Sequence, residues 1–335
     1  MDYTIAFDVG GSYIKSAVLQ GQVLRNGTYA VYPAQAQAKR DEWLDYMVGV
    51  ILSQVEKLTD TAARVNGIGF AFPGPFDYEN GICYIKGLAK FENLYQVNLK
   101  HEIHTRLLKG SAPRLRLNDG FQIRFENDAA LFALGEYIGG KAKGYHRAIC
   151  LTLGTGAGSA FLVNGAVVKE GEGVPPDGVV FPEQFRDSIV DDYISRRGIL
   201  RLAADAGMDC HLDVLDLAEL AKQGDPVARR VFHQFGRDLG EMLSRYLLSF
   251  RPEIVVIGGQ IAKSHSLFVP GFQETVGTEV MFADNRLGGG WSCGADGNVD
   301  GNDESKVLIE FDDDTSRMTL LGVSKLLSNT GGVCV

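Results

Sequence analysis

Two stretches of the chain share one layout. Residues 5–18 (IAFDVGGSYIKSAV) and 151–163 (LTLGTGAGSAFLV) each pass from an apolar strand through a glycine-rich turn into a second apolar strand. Short apolar runs bounded by glycine and polar residues read as strands, and helical segments separate the two copies. The pattern predicts a duplicated α/β architecture in which each half contributes one glycine-rich turn. A chain of 335 residues, 45% hydrophobic and 22% charged, can bury the two cores this requires.

Periodicity fills in the rest. Strands are expected over 3–9, 13–19, 23–31 and 65–72, the last stopped by Pro-Gly-Pro at 73–75. Residues 41–63 place Trp43, Met47, Val50, Ile51, Val55 and Leu58 on one helical face. Residues 84–109 give no clear signal. A strand ending in IRFE (123–126) runs into a helix starting near Asn127, and helical segments precede Pro252. EIVVIGG (253–259) and VLIEF (307–311) read as strands, 316–327 as a closing helix, and NTGGVCV (329–335) as a frayed tail.

The first turn gathers chemistry at close spacing. Gly10 and Gly11 admit positive φ and let backbone N–H groups approach an anion. Ser12 adds a hydroxyl and Lys15 a cation for phosphate. Asp8, acceptor-only at the end of its strand, suits Mg²⁺ directly or through water. These are the ingredients of metal-assisted phosphoryl transfer; a plain tight hairpin accounts for the same residues equally well. The dinucleotide pattern G-x-G-x-x-G between strand and helix is missing, as is the P-loop signature. The second turn, with Gly154, Thr155 and Gly156, reads alone as a β-turn and beside the first as a phosphate clamp.

ENDAALFALGEY (126–137) puts Asn127 and Asp128 at a helix start. Asn127 is a favoured N-cap. Asp128 in the first turn gains under about 1 kcal/mol from the helix dipole, which favours its ionised form. The functional alternative makes Asp128 the acceptor of a substrate hydroxyl proton, with Asn127 bonding a neighbouring hydroxyl. The residues alone favour the cap.

Composition narrows the partners. The net charge of −9 is spread along the chain, without the basic stripe a nucleic-acid surface needs. Cys83, Cys150, Cys210, Cys293 and Cys334 are odd in number and hold no C-x-x-C, so neither a disulfide framework nor a zinc knuckle is expected. With no leader-like start and no run long enough to span a bilayer, a soluble cytoplasmic protein without membrane contact is expected. DGNVDG (296–301) opens like an EF-hand loop, but Val307 stands where the bidentate Glu belongs, so a flexible loop is expected instead.

Taken in order, five motifs resemble the ROK family of sugar kinases, within the actin/hexokinase-like superfamily. FDVGGSYIK resembles its D-x-G-G-T-x-x-K phosphate motif, with Ser12 for Thr. FAFPGPFD resembles its Pro-Gly-Pro sugar-side loop, and ENDAALFALGE its E-N-D-A-N-A-A-A-L-G-E helix. LTLGTGAGSAFLVNG resembles the second phosphate motif, and PEIVVIGGQIA the strand and Gly-Gly turn beside the adenosine. The resemblance implies a two-domain actin-like ATPase (ribonuclease H-like) α/β fold with a cleft between the domains. It implies ATP and Mg²⁺, and transfer of the γ-phosphoryl group to a hydroxyl of a hexose, N-acetylhexosamine or glucoside, with Asp128 as base. The domains would be 1–126, with helix 316–330 packing back on it, and 127–315, with an inserted loop near 284–304.

By the same resemblance, Asp8, Gly10, Gly11, Ser12, Lys15, Gly154, Thr155, Gly156, Gly258 and Gly259 bind the nucleotide, and Asp8 holds Mg²⁺, mainly through water. Gly74, Asn127, Asp128, Glu172 and Asp191 bind the sugar, and a homodimer is expected. The chain also departs from the family. The G-E-I-G-H stretch and the cysteine cluster after it are replaced by DGVVFPEQFRDSIVDDYIS (177–195), which puts Val179 at a family Glu, Asp191 at a sugar-contacting Glu, and removes the zinc ligands. No zinc site is expected. A non-catalytic sugar-sensing protein of the same fold and a polyphosphate-dependent glucokinase are the alternatives, the latter because GTGAGSAF resembles its turn.

Overall fold

The computed structural model describes residues 2–58, 64–109, 117–276, 280–282 and 306–328. The expected loop near 284–304 with its DGNVDG, the tail 329–335, and Cys293 and Cys334 lie outside the described residues. The chain forms two compact units, residues 1–140 with 316–335, and residues 141–315.

In chain order the first unit contains β1 (Asp2–Val9), β2 (Tyr13–Gln20), β3 (Val23–Leu24), β4 (Ala30–Pro33), α1 (Arg40–Glu56), β5 (Arg64–Ala71), β6 (Phe76–Asp77), β7 (Ile82–Cys83), α2 (Leu99–Lys109), β8 (Leu117–Glu126) and α3 (Asp128–Gly139). Its main sheet has the order β3-β2-β1-β5-β8, with β4 also on β2. β2 is antiparallel to β1, while β5 and β8 run parallel to it. Phe7, Phe70 and Phe125 lie directly opposite one another on the three parallel strands. Their rings stack at 5.0 Å and 4.7 Å. A one-residue slip would turn this ladder to the wrong face of the sheet, so it fixes register. Register in turn fixes where β1 and β8 end, and so where the 10–12 turn and α3 begin.

The helix face read from residues 41–63 is buried: Trp43, Met47, Val50, Ile51 and Val55 pack into the first core, although the helix stops at Glu56. The stretch 23–31 is not one strand; it breaks between β3 and β4 at Gly27 (φ 75°), and buried Thr28 accepts from the Val18 N–H. The silent stretch 84–109 contains α2, which buries Leu99, Ile103 and Leu107.

The other face of the sheet receives the C-terminal helix, Thr315–Ser328. A Cβ on Gly67 would lie 2.9 Å from Leu327, and one on Gly69 would overlap Val323. α3 crosses the same helix backbone against backbone: a Cβ on Gly135 would overlap the Met318 carbonyl, and one on Gly322 the Leu131 carbonyl. α3 was expected to open the second domain. It belongs instead to the first unit, because its glycine face fits only against a helix already seated on β5.

The second unit repeats the plan with β9 (Arg147–Leu153), β10 (Ala157–Val163), β11 (Ala166–Val168), β12 (Gln184–Phe185), β13 (Ser188–Ile189), α4 (Val190–Tyr193), α5 (Arg196–Asp205), α6 (Val214–Gln223), α7 (Pro226–Ser249), β14 (Ile254–Gly258), α8 (His265–Val276), β15 (Val280–Phe282) and β16 (Val307–Phe311). Its sheet runs β11-β10-β9-β14-β16-β15, again an antiparallel hairpin followed by parallel strands. It has its own core, from Ile149 to Ile309. It also has its own glycine crossing: a Cβ on Gly236 of α7 would overlap the Phe268 carbonyl, and one on Gly271 of α8 the His233 carbonyl. No helix among the described residues is long and apolar enough to cross a membrane.

The crossing glycines and an open glycine should respond oppositely to the same change. Gly135→Ala and Gly322→Ala should each destabilise the protein by about 1–3 kcal/mol, because a methyl group has no room there. Gly49, exposed within α1 with nothing within 4 Å of its would-be Cβ, should gain up to about 1 kcal/mol on change to Ala. Urea unfolding of the three variants checks both signs.

Candidate functional site

In the first unit the structure brings together Asp8, the 10–12 turn, Lys15, Asn127 and Asp128. Asp8, next to last in β1, lies opposite Lys15 on β2, and the two side chains form an ion pair at 3.4 Å. Lys15 also donates to the Ser316 hydroxyl at the start of the C-terminal helix. Burial pushes the Asp8 carboxyl above the usual carboxylate range; Lys15 and Ser316 pull it back only in part. Gly10 and Gly11 do not take positive φ. What they supply is room. The Gly10 N–H closes on the Tyr13 carbonyl at 2.9 Å, and a Cβ at Gly10 would press to 3.2 Å on that same oxygen. Ser12, exposed, accepts from the Ala34 N–H through its carbonyl, leaving its hydroxyl at the tip.

Asn127 caps α3: its Oδ1 accepts from the N–H groups of Ala129 at 2.9 Å and Ala130 at 3.3 Å. Its amide nitrogen is turned toward the Tyr78 hydroxyl at 3.5 Å. Tyr78 in turn donates to the Phe72 carbonyl at 3.0 Å, which holds the loop carrying Gly74 and the cis Gly74–Pro75 bond. Burial raises the Tyr78 hydroxyl's pKa, and the charge of Asp128 raises it further.

Asp128 departs from expectation. The helix dipole was expected to hold it ionised. The residue keeps an open surface, yet the protein packed around its carboxyl group raises its pKa, and the negative charge of Asp8 raises it further. The Ala129 N–H, which Asp128 Oδ1 accepts at 3.0 Å, and the charge of Lys90 oppose this and lose. The result is a carboxylate with a raised affinity for a proton, at the first turn of a helix, in the unit that carries the acidic hairpin.

In the second unit the Gly154–Gly156 turn closes on itself, with the Gly154 N–H bonded to the Gly156 carbonyl at 3.1 Å, and Thr155 stands exposed at its tip. Asp191 braces this turn. Its Oδ1 accepts from the Ala157 N–H at 2.7 Å and its other oxygen pairs with Arg197. A Cβ on Gly156 would approach that Oδ1 to 3.0 Å. Gly259 is the glycine of these turns that does take positive φ (97°), and a Cβ there would overlap the Leu153 carbonyl. Its N–H donates to the Thr315 hydroxyl at 2.7 Å, and the Ile261 N–H donates to the Leu153 carbonyl at 3.1 Å, so the two turns of this unit pack together. Gly258 ends β14 opposite Thr152. Glu172 is exposed between Gly171 and Gly173. A cavity of about 270 Å³ in this unit, lined by Gly173, Pro175, Glu183, Arg245 and Tyr246, contains none of the expected residues. Asp209, Cys210 and His211 can bring one ligand atom each within 4.8 Å of one another on an exposed turn.

Three residues beside the first-unit site were missed. Tyr78 and Ser316 act through hydroxyls far along the chain from Asn127 and Lys15, which they touch. Lys90 comes from the stretch whose periodicity was silent.

The chain belongs to the ROK family, whose model matches residues 4–284. It is similar to the glucokinase of Thermotoga maritima, 27% identical over 236 residues that cover 64% of this chain and 70% of that enzyme. It is also similar to the N-acetyl-D-glucosamine kinase of Haemophilus influenzae, 23% identical over 280 residues that cover 78% of this chain and 85% of that enzyme. The solved structure of a ROK family glucokinase from Streptomyces griseus, in complex with glucose and AMPPNP, shares the two-domain actin-like fold with a TM-score of 0.64 and 19% identity, over 97% of this chain and 98% of that one.

Removing the cation beside Asp8 should carry a pH signature. A carboxyl whose folded pKa lies above its unfolded value of about 3.9 destabilises the fold once pH rises through the folded value, and costs nothing below the unfolded one. Lys15→Met takes away the main opposing charge, so its destabilisation, about 1–3 kcal/mol at pH 8, should shrink steadily toward pH 4. Thermal melts across that range read it directly.

Proposed function

We propose that the chain transfers the γ-phosphoryl group of ATP to a hydroxyl of a hexose, N-acetylhexosamine or glucoside, with Asp128 as the catalytic base. One observation carries this reading. The first unit holds a carboxylate with raised proton affinity at the start of α3, near an acidic hairpin whose turn is shaped by glycine. A general base works best when its pKa approaches the operating pH. Family membership and kinase relatives support the reading.

The residues have distinct tasks. The Gly10–Ser12 turn and the Gly154–Gly156 turn take phosphate oxygens, while Gly258 and Gly259 lie under the nucleotide. Asp8 fits Mg²⁺: it is a buried carboxylate short of positive charge, and its contact with Lys15 is long enough to yield. Asp8 would hold Mg²⁺, which when bound would supply charge neutralisation to the phosphates. Gly74 and the amide of Asn127 face the sugar, and Asn127 has only its Nδ2 to give because its Oδ1 caps the helix. Asp128 accepts the hydroxyl proton as the sugar oxygen bonds to phosphorus. Phosphoryl transfer depends mainly on positioning and charge neutralisation, so the base need only be held correctly. Asp191, committed to Ala157 and Arg197, serves the sugar by shaping the second turn; Glu172 is free to reach it. A cytoplasmic homodimer that engages neither nucleic acid nor membrane completes the reading.

A screen of ADP release over hexoses, N-acetylhexosamines and glucosides, with ATP or polyphosphate as donor, tests it. Turnover with ATP is expected. Sugar binding without turnover would identify a sensor, and turnover with polyphosphate alone another donor. Asp128→Asn should lower kcat by about 10²–10⁴-fold while leaving the fold intact. Because ionised Asp128 is disfavoured where it sits, Asp128→Asn should also raise Tm at pH 8, with the gain vanishing below about pH 4. Wild-type kcat should fall as pH drops through the raised Asp128 pKa.

A further inference from the structure

The first unit contains a cation that none of these roles uses. Lys90 lies half-buried in the loop between β7 and α2. Its stem crosses the glycine turn, since a Cβ on Gly11 would come within 3.2 Å of Lys90 Cδ. Its charge reaches Asp128. Lys90 therefore spans from the phosphate-type turn toward the base. Among the described residues it forms no hydrogen bond or ion pair. Lys15, the cation the motif supplies, spends its ammonium group on Asp8 and Ser316.

Resting on the sugar-kinase reading, we propose that Lys90 is a catalytic residue that contacts the transferred phosphoryl group and neutralises the charge on its oxygens. In the step it serves, the sugar oxygen bonds to the γ-phosphorus and the bond from that phosphorus to the bridging oxygen breaks. The electron pair leaves on ADP, the hydroxyl proton passes to Asp128, and Lys90 exchanges no proton. A lysine suits the task because its point charge on a flexible stem can follow the phosphoryl group from donor to acceptor. Charge placed where charge develops, in a site that shelters it, is among the strongest sources of rate enhancement.

Lys90→Met keeps the stem packed over Gly11 and removes only the charge; Lys90→Arg keeps the charge. Lys90→Met should lower kcat by about 10²–10³-fold with the sugar KM unchanged, and Lys90→Arg should recover part of that loss. Calorimetry provides a readout without turnover. Lys90→Met should weaken AMPPNP about tenfold or more and leave ADP, which lacks the γ-phosphate, untouched. Wild-type kcat in Lys90→Met, equal losses for AMPPNP and ADP, or a change confined to the sugar KM would each overturn the assignment. If the wild type turns over no sugar, the sugar-kinase reading fails separately, and the AMPPNP–ADP difference alone decides the place of Lys90.

Discussion

Crowding around two neighbouring carboxyl groups marks the first unit's site. Asp8 and Asp128 are both held above the ordinary carboxylate range, each chiefly by the protein packed around the carboxyl group, and Asp128 also by Asp8. Neither would persist there without compensation. Lys15, the Ser316 hydroxyl, the Ala129 N–H and Lys90 supply part of it. What remains is a standing demand for positive charge, which a divalent cation at Asp8 would meet. The phenylalanine ladder keeps the demand in place, because it sets the strand ends from which both acids project.

The two units are variations on one plan. Each has an antiparallel hairpin with a glycine turn, parallel strands beyond it, and a pair of helices pressed together through glycine. They differ in how the turn is held. In the first unit an acid–base pair sits beneath it and the ammonium group is shared with a distant serine. In the second, Asp191 grips the turn from the side and is itself gripped by Arg197. Asp191 is thus tied to the scaffold on both of its oxygens.

The hairpins, the helix face from Trp43 to Val55 and the cap at Asn127 were legible because each depends on residues close in sequence. The raised pKa of Asp128 was not: the local dipole points one way, while the surrounding protein and Asp8, distant in the chain, point the other. The membership of α3 was hidden for a similar reason, since a glycine within a helix announces no partner until the facing helix is known. α2 did carry a signal, Leu99, Ile103 and Leu107 at four-residue steps behind an Asn98 cap, but it was diluted by charged and histidine neighbours. Lys90 was invisible because nothing in its own stretch marks which turn its stem will cross.

The placement of the C-terminal helix bears on how the molecule is made. Residues 141–315 form a complete body that can mature while still emerging from the ribosome. The unit bearing Asp128 cannot, since β5 and α3 wait for a helix that is translated after it. Until that helix has been made, α3 lacks the surface it packs against, so the first unit closes on its last-made segment.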